Sequence, residues 1–350
     1  MNAVGGVRSW PQVIGQLVEG HDLSIDDSRW AMDSVLRGEA TPSQISAFVV
    51  ALRSKGETAD ELHGMLSAVM AETSKVDLPI DVAAKCVDIV GTGGDRSHSV
   101  NISTMAALVV AGVGVPVCKH GNRAATSQCG TADVLEALGV AIDLDGDGVA
   151  RCVIETGFGF CYAPIFHPAF RHAGATRREI GIPTAFNLLG PMANPARVSF
   201  MLVGVGNPNV AATMAQVLAT RGVRRAWVVH GHGGLDELSL SGSCSVTELQ
   251  SGSITSFDID APTFGLARAG IESVRGGSPE HNANIVLEVL GGSQGPVRDI
   301  VIFNAAAGLV VAGNADSMAI AVDQAAKSID TGAAKKVLDS LIRTSRAVAR

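Results

Sequence analysis

Two short apolar runs, each breaking into a glycine-centred polar loop, limit what this chain can become. Cys86-Val87-Asp88-Ile89-Val90 runs into Gly91-Thr92-Gly93-Gly94-Asp95, and Val115-Pro116-Val117-Cys118 runs into Lys119-His120-Gly121-Asn122-Arg123. Apolar runs of this length bounded by glycine read as strands buried on both faces, which belong to parallel sheets. Each loop then sits at the carboxyl end of a strand, where open α/β sheets place their ligands. After Pro79, strand-like and helical runs alternate, the pattern of an α/β domain with a mainly parallel central sheet.

The loops suit an anion. Three glycines in four positions let the backbone approach a ligand and aim N–H groups at it, because no Cβ blocks the way or forbids positive φ. Asp95 would repel a bare anion, but it can accept from a ribose hydroxyl or hold a cation that bridges to phosphate. Asn101-Ile102-Ser103-Thr104 precedes an apolar, helix-length run from Met105 to Val113, so Ser103 and Thr104 fall near a helix N-terminus, whose free N–H groups and dipole bind phosphate. In the second loop Lys119 offers phosphate a point charge, while Asn122 offers a donor and an acceptor to a planar polar group. Two such loops in succession point to a phosphorylated sugar. Gly130-Thr131-Ala132-Asp133 then opens a helix that stops at Gly139, with Asp133 and Glu136 expected to cap and ion-pair.

The first 75 or so residues read differently. Thr41-Pro42-Ser43-Gln44 sets a cap, a proline at the first helical position and a capping-box partner ahead of Ile45, Phe48, Val49 and Leu52 at helical spacing. Thr58 to Glu61 repeats the device before Leu62, Met65, Leu66 and Val69. Helices without intervening strands make a small helical lobe.

GTGGD, the Asn-Ile-Ser-Thr turn and KHGNR followed by GTADVLEALG resemble the anthranilate phosphoribosyltransferase family. Further matches follow in order: His167-Pro168 with Arg177, Phe186-Asn187-Leu188-Leu189-Gly190-Pro191 with Asn194-Pro195, Val228-Val229-His230-Gly231, Leu235-Asp236-Glu237, and Arg298-Asp299 through Asn304. The resemblance implies the nucleoside phosphorylase-like phosphoribosyltransferase fold: a small all-helical domain plus a larger α/β domain. The helical domain covers residues 1–76, helices from about 168–200 pack onto it, and the α/β donor-binding domain covers the rest of 77–350. The active site would lie in the cleft between the lobes.

The implied reaction moves a 5-phosphoribosyl group from phosphoribosyl pyrophosphate to the amine of anthranilate. For the donor, the resemblance implies Gly91, Thr92, Gly93, Gly94, Asp95, Ser99, Asn101, Ile102, Ser103 and Thr104 from the first stretch. From the second it implies Lys119, His120, Gly121, Asn122 and Ser127. For anthranilate it implies Gly91, His120, Asn122, His167, Arg177, Gly190 and Pro191. Arg177 is the natural carboxylate partner, since a guanidinium presents a planar fork that an ammonium cannot. Magnesium, as two ions, would be held by Asp236, Glu237 and Ser103; adjacent acids at a strand end suit an ion that binds through one or two carboxylates plus substrate phosphates. The acceptor nitrogen is itself the nucleophile, so orientation and leaving-group stabilisation should dominate, with no obligatory catalytic group and His120 as the candidate base. A cytoplasmic homodimer is also implied. Arg96 and His232 depart from the family, which commonly has glycine and an acid there.

Composition narrows the alternatives. Across 350 residues a formal net charge of -7 argues against a general nucleic-acid binder. That weighs against a non-enzymatic nucleic-acid-binding relative, whose metal acids should also be degraded. A nucleoside phosphorylase would need a lysine-serine signature in place of KHGNR and FNLLGP. A phosphoribosyltransferase for another aromatic amine is the rival that sequence separates least, because a few pocket side chains set acceptor choice. The N-terminus lacks a signal-peptide pattern and no apolar stretch is long enough to span a bilayer, so a soluble protein with no membrane partner is expected. The six cysteines, 86, 118, 129, 152, 161 and 244, lack zinc spacing and read as buried small hydrophobes; Cys129, beside the second loop, is the one to suspect of reactivity, with a packing or loop role the favoured reading.

Overall fold

In the computed structural model of the protein, residues 8–95, 97–124 and 128–349 are described. The chain divides into two compact units. One comprises the described part of Met1–Thr73 together with His167–Ala193, and the other Ser74–Phe166 together with Asn194–Arg350.

The first unit is helical. Trp10–Val18, Ile25–Leu36, Pro42–Lys55 and Ala59–Ala71 come from the leading stretch, and Arg171–Ile180 and Ala185–Met192 from the returning one. Both capping boxes form, Thr41 with Gln44 and Thr58 with Glu61, so each helix begins where its orphan N–H groups find partners. The expected faces, Ile45 to Leu52 and Leu62 to Val69, are buried, with Phe48 meeting Trp10 edge-on at 5.8 Å. Gly64 permits a close crossing, because a Cβ there would strike Ser28 and the Ile25 carbonyl. One buried ion pair sits at the turn between two of these helices. The Glu61 carboxylate accepts from Leu23 N (2.9 Å), Thr58 N (2.9 Å) and Lys55 Nζ (3.0 Å), and Lys55 also reaches Asp22 (2.7 Å) and the Gly56 carbonyl (2.8 Å).

The second unit carries a seven-stranded sheet among the described residues: β1 Val87–Gly91, β2 Val117–Gly121, β3 Phe158–Tyr162, β4 Phe200–Gly204, β5 Arg225–His230, β6 Cys244–Gln250 and β7 Ser253–Ile259. Its order is β3-β2-β1-β4-β5-β6-β7. The first five strands run parallel, and β6 and β7 extend the sheet as an antiparallel pair. From β1 the chain moves outward through β2 to β3, then returns to the opposite side of β1 as β4. The order therefore reverses between β1 and β4, the place where such sheets open a ligand crevice beyond their carboxyl ends. Helix Ile102–Val113 packs on Pro296–Val311 and Ala333–Val348, while Ala211–Thr220 lies on β5 and β6. Among the described residues no helix is long and apolar enough to cross a membrane.

Candidate active site

At the switch point, two glycine-ended strands leave a ledge for two acids. Gly91 and Gly204 close β1 and β4 side by side in register. A Cβ at Gly91 would run into the Asp236 carboxylate, and one at Gly204 into the Asp236 backbone. The segment after β5 can lie across both strand ends only because neither bears a side chain. It turns back through Gly233 and Gly234, both at positive φ (82° and 88°), and Gly231 pairs with Leu235. Asn304, fully buried, locks the far side by accepting from Leu238 N and donating to Leu238 O, each at 2.9 Å. Asp236 and Glu237 are thus held half-buried over the sheet.

The first loop folds over this ledge. Gly93 and Gly94 adopt φ of 66° and 76°, values that L side chains resist, and Gly93 N donates to Asp236 Oδ2 at 2.7 Å. Thr92 N donates to the Gly204 carbonyl at 2.9 Å. Asp95 accepts from Ser97 N (3.1 Å) and Asp236 N (3.4 Å). Ser99 bridges to Arg275, and helix Ile102–Val113 starts directly behind, with no side-chain cap from Asn101. Ile102 and Thr104 are buried in its first turn, Ser103 is half-buried, and the Ser103 backbone donates to the Glu237 carboxylate. Burial, with Asp95 and Asp236 as like charges nearby, pushes Asp236 and Glu237 well above the ordinary carboxylate range.

Lys119 and His120 lie within β2, not in a loop, because strand pairing to Phe160 and Cys161 of β3 continues through them and ends only at Gly121. Lys119 is consequently 1% exposed. Its ammonium donates to the Ile89 carbonyl and to Ser103 Oγ (3.2 Å), beneath the acidic ledge. Burial lowers its pKa, against the opposing pull of Asp88, Glu237 and Asp236. Asp88, buried on β1, accepts from His120 N (3.2 Å) and Asn194 Nδ2 (2.7 Å); burial raises it to about 6, with Lys119 the main opposing influence.

Beyond Gly121 the second loop is pinned from behind. Arg123 donates to Asp133 (3.0 Å), Glu136 (2.8 Å) and Tyr162 Oη (3.1 Å), and Asp133 accepts from the Ala124 and Gly130 N–H groups at 2.9 Å each. The arginine of KHGNR is therefore structural, and Asp133 and Glu136 do the capping and ion-pairing expected of them. Asn122 is left exposed on the rim. Ser127 and Arg96 lie outside the described residues. Cys129 is buried with its thiol pushed up to about 11 by that burial, a packing group and not a nucleophile. His232 is exposed and shares a hydrogen with Ser241 Oγ at 3.1 Å.

In the helical unit, Arg177 sits in Arg171–Ile180 with its guanidinium 5.2 Å over the Phe186 ring. Burial draws its pKa down and no acid offsets this among the described residues. His167 is buried, its Nδ1 3.0 Å from Thr73 Oγ1; since that hydroxyl donates to the Val69 carbonyl (2.7 Å), the imidazole Nδ1 is the donor. Gly190 and Pro191 lie in Ala185–Met192, and a Cβ at Gly190 would meet no protein atom within 4 Å, so packing does not demand the glycine.

Gly204, Gly231, Asp88, Asn194 and Asn304 escaped sequence reasoning as site-builders. Gly204 carried a readable signal: Phe200-Met201-Leu202-Val203-Gly204 repeats the strand-then-glycine pattern of β1. Among the described residues no three His, Cys, Asp or Glu side chains form a metal cage. Paired carboxylates at a strand end suit an ion that completes its shell with other oxygen ligands, substrate phosphates and water among them, the habit of magnesium.

Comparison with known proteins gives one answer. Residues 83–335 match the model of the glycosyl transferase family a/b domain, and residues 11–73 that of its helical bundle domain. The anthranilate phosphoribosyltransferase of Saccharopolyspora erythraea is 50% identical over 347 residues, covering 98% of this chain and 97% of that one. The crystal structure of the Thermus thermophilus enzyme of that name superposes with a TM-score of 0.90 at 38% identity, covering 95% of this chain and 99% of its own. The Saccharomyces cerevisiae enzyme, solved with PRPP and Mg, gives 0.88 at 28% identity over 97% and 98%, and 0.87 at 27% identity over the same shares in its 4-fluoroanthranilate complex.

Proposed function

The chain belongs to the anthranilate phosphoribosyltransferase family, and from that membership we propose how its residues perform the family's reaction. The enzyme transfers the 5-phosphoribosyl group of phosphoribosyl pyrophosphate to the amine of anthranilate, giving N-(5-phosphoribosyl)anthranilate and pyrophosphate, in tryptophan biosynthesis. The observation that carries the assignment of roles is the Asp236–Glu237 ledge laid over Gly91 and Gly204 beneath a left-handed glycine loop.

The donor's phosphates lie along Gly91 to Asp95 and the first turn of Ile102–Val113, where backbone N–H groups and the helix dipole favour anions. Ser99, Asn101, Ser103 and Thr104 belong to the same stretch and Gly121 and Asn122 to the second; Ser127 is assigned to the donor by the resemblance alone. Asp236, Glu237 and Ser103 hold magnesium, as two ions; two carboxylates raised by burial and mutual repulsion fit a divalent guest. Bound there, magnesium neutralises charge gathering on the leaving pyrophosphate. Lys119 is the ledge's fixed internal cation, holding Ser103 in place from below.

The acceptor carboxylate takes the uncompensated fork of Arg177, whose other face is occupied by Phe186. The resemblance assigns Asn122, His120 and Gly91 to its amine and ring, and His167, Gly190 and Pro191 to its binding as well. The amine lone pair attacks the anomeric carbon as the bond to pyrophosphate breaks, and the amine proton passes to water or to His120. No protein nucleophile is required; holding the two reactants in line supplies much of the acceleration. The chain works in the cytoplasm as a homodimer through its helical unit, which exposes Val18 and Val50.

The test mixes purified protein with anthranilate, phosphoribosyl pyrophosphate and magnesium and follows loss of anthranilate fluorescence. Loss that needs both donor and metal is expected. A folded protein that binds donor and leaves anthranilate untouched would move the search to other aromatic amines.

A further inference from the structure

One line of hydrogen bonds ties together three segments around the proposed donor site. Gly277 N donates to Asn282 Oδ1 (2.8 Å), Asn282 Nδ2 to Asn101 Oδ1 (2.9 Å), and Asn101 Nδ2 to the Cys129 carbonyl (3.3 Å). A backbone N–H stands at one end and a backbone carbonyl at the other. With both ends of fixed polarity, each amide has a single orientation that completes the line. The Cys129 thiol adds a donor to Asn101 Oδ1 at 3.4 Å.

Asn282 itself is 2% exposed, in the first turn of helix Pro279–Leu290. That helix packs on Thr131–Ala137, which closes the second loop. Ahead of it, residues 274–276 run beside the first loop: Val100 N donates to Val274 O (2.9 Å) and Gly276 N to His98 O (2.8 Å). A Cβ at Gly276 would strike both the Ser99 carbonyl and the Asn282 amide, so the two segments touch at backbone distance. His98 holds a positive φ of 51°, a conformation that persists in a non-glycine residue only when neighbours impose it.

We infer that Asn282 is a positioning residue for the phosphoribosyl donor, fixing Asn101 and, through it, the spacing between the first and second loops. It acts without touching the donor. Asn101 spends its oxygen on Asn282 and one amide hydrogen on Cys129, which leaves the other hydrogen aimed by this scaffold. The inference rests on the donor site proposed above.

Asn282→Asp is the incisive variant, because it keeps shape and exchanges one donor for an acceptor. The new oxygen faces Asn101 Oδ1; if Asn101 turns over, its own oxygen then faces the Cys129 carbonyl. Either way the link to one loop is lost. The expected result is a KM for phosphoribosyl pyrophosphate raised about tenfold, with kcat and the KM for anthranilate within about threefold of wild type. Calorimetric donor binding should weaken by the same factor. Asn282→Ser, which relieves packing without adding charge, should shift the same constant in the same direction and stands in if the aspartate variant does not fold. A folded variant with unchanged donor KM and affinity, or with both KM values and kcat shifted together, would overturn the inference. Should wild type leave anthranilate unchanged, the functional reading fails by itself, and the calorimetric arm still decides the role of Asn282.

Discussion

Each unit buries a lysine among carboxylates, and the two constellations behave in opposite ways. In the helical unit Lys55 has three partners for three hydrogens, and Glu61 accepts from two backbone N–H groups besides. Burial works to lower the Lys55 pKa, but its hydrogen bonds to Asp22 and Glu61 prevail and leave it raised. In the α/β unit Lys119 reaches a carbonyl and a hydroxyl, no carboxylate lies within ion-pair distance among the described residues, and burial wins: its pKa falls while those of Asp236 and Glu237 rise. The first arrangement is closed and stabilises a turn. The second is left electrostatically incomplete, as the proposed seat of a divalent ion and a polyphosphate would require. Satisfaction of hydrogen bonds, more than burial or charge, separates the closed pair of the helical unit from the ionisable groups of the proposed site.

The comparison can be broken at either end. Replacing Asp236 and Glu237 together by Asn and Gln should cut magnesium-dependent turnover by roughly a thousandfold or more, since leaving-group stabilisation supplies several kcal/mol. The melting temperature should hold or rise, because two acids that dislike their surroundings are removed. A steady-state assay over a magnesium series checks this, and unchanged magnesium dependence would place the metal elsewhere. Glu61→Gln should do the reverse, costing about 2 kcal/mol of stability by removing one of the two carboxylates that pair with Lys55 and the charge that accepts from Leu23 N and Thr58 N, while leaving kcat/KM near wild type below the melting transition. Denaturant unfolding beside the fluorescence assay tells the two apart; a variant that keeps its stability would remove the contrast.

Arg177 sharpens the contrast within the helical unit, being a partly buried charged group whose burial no acid offsets among the described residues. Arg177→Ala should lower kcat/KM for anthranilate by about 30- to 100-fold, the worth of about 2–3 kcal/mol in a charge-assisted contact, with donor KM changed no more than about threefold. Equal loss for both substrates would sink its assignment.

The smallest effect is in pH. Asp236 and Glu237 titrate higher folded than unfolded, so between the ordinary carboxylate range and neutrality the folded state binds more protons and stability falls as pH rises. Without magnesium, the wild type should lose roughly 2–4 °C more than the Asn/Gln double variant between pH 5.5 and pH 8. Magnesium should shrink that difference, and a scanning-fluorimetry series in chelator and in magnesium would read it. Identical slopes would mean the acids are not strained.

Much of this was legible in the chain. Glycine at the ends of apolar runs announced strands feeding ligand loops, and Thr41 and Thr58 with their partners announced helix starts, because turn and cap chemistry is local. The depth of Lys119 was not legible: whether Lys119-His120 continues a strand depends on Phe160 and Cys161, some forty residues on. The same holds for Asp88 with Asn194 and for Asn101 with Asn282, pairs made by topology, with no short-range signal. For Arg177 the missing counter-charge was equally invisible, since only the fold shows which acids stay away.

The helical unit is completed by the return of His167–Ala193, and helix Arg171–Ile180 packs on Ile25–Leu36 and Pro42–Lys55. During synthesis those early helices emerge with this flank uncovered. The ribosome must travel from Thr73 to Ala193, and 193 − 73 = 120 residues, before the covering segment exists; at about 5–20 residues per second that wait is roughly 6–24 s. Throughout it, β1 to β3 are being made and cannot yet meet β4. Once Ala193 is made the helical unit has all its segments, while the α/β unit still lacks Asn194–Arg350, so the nascent chain holds β1 to β3 half-built in solution on both sides of that event.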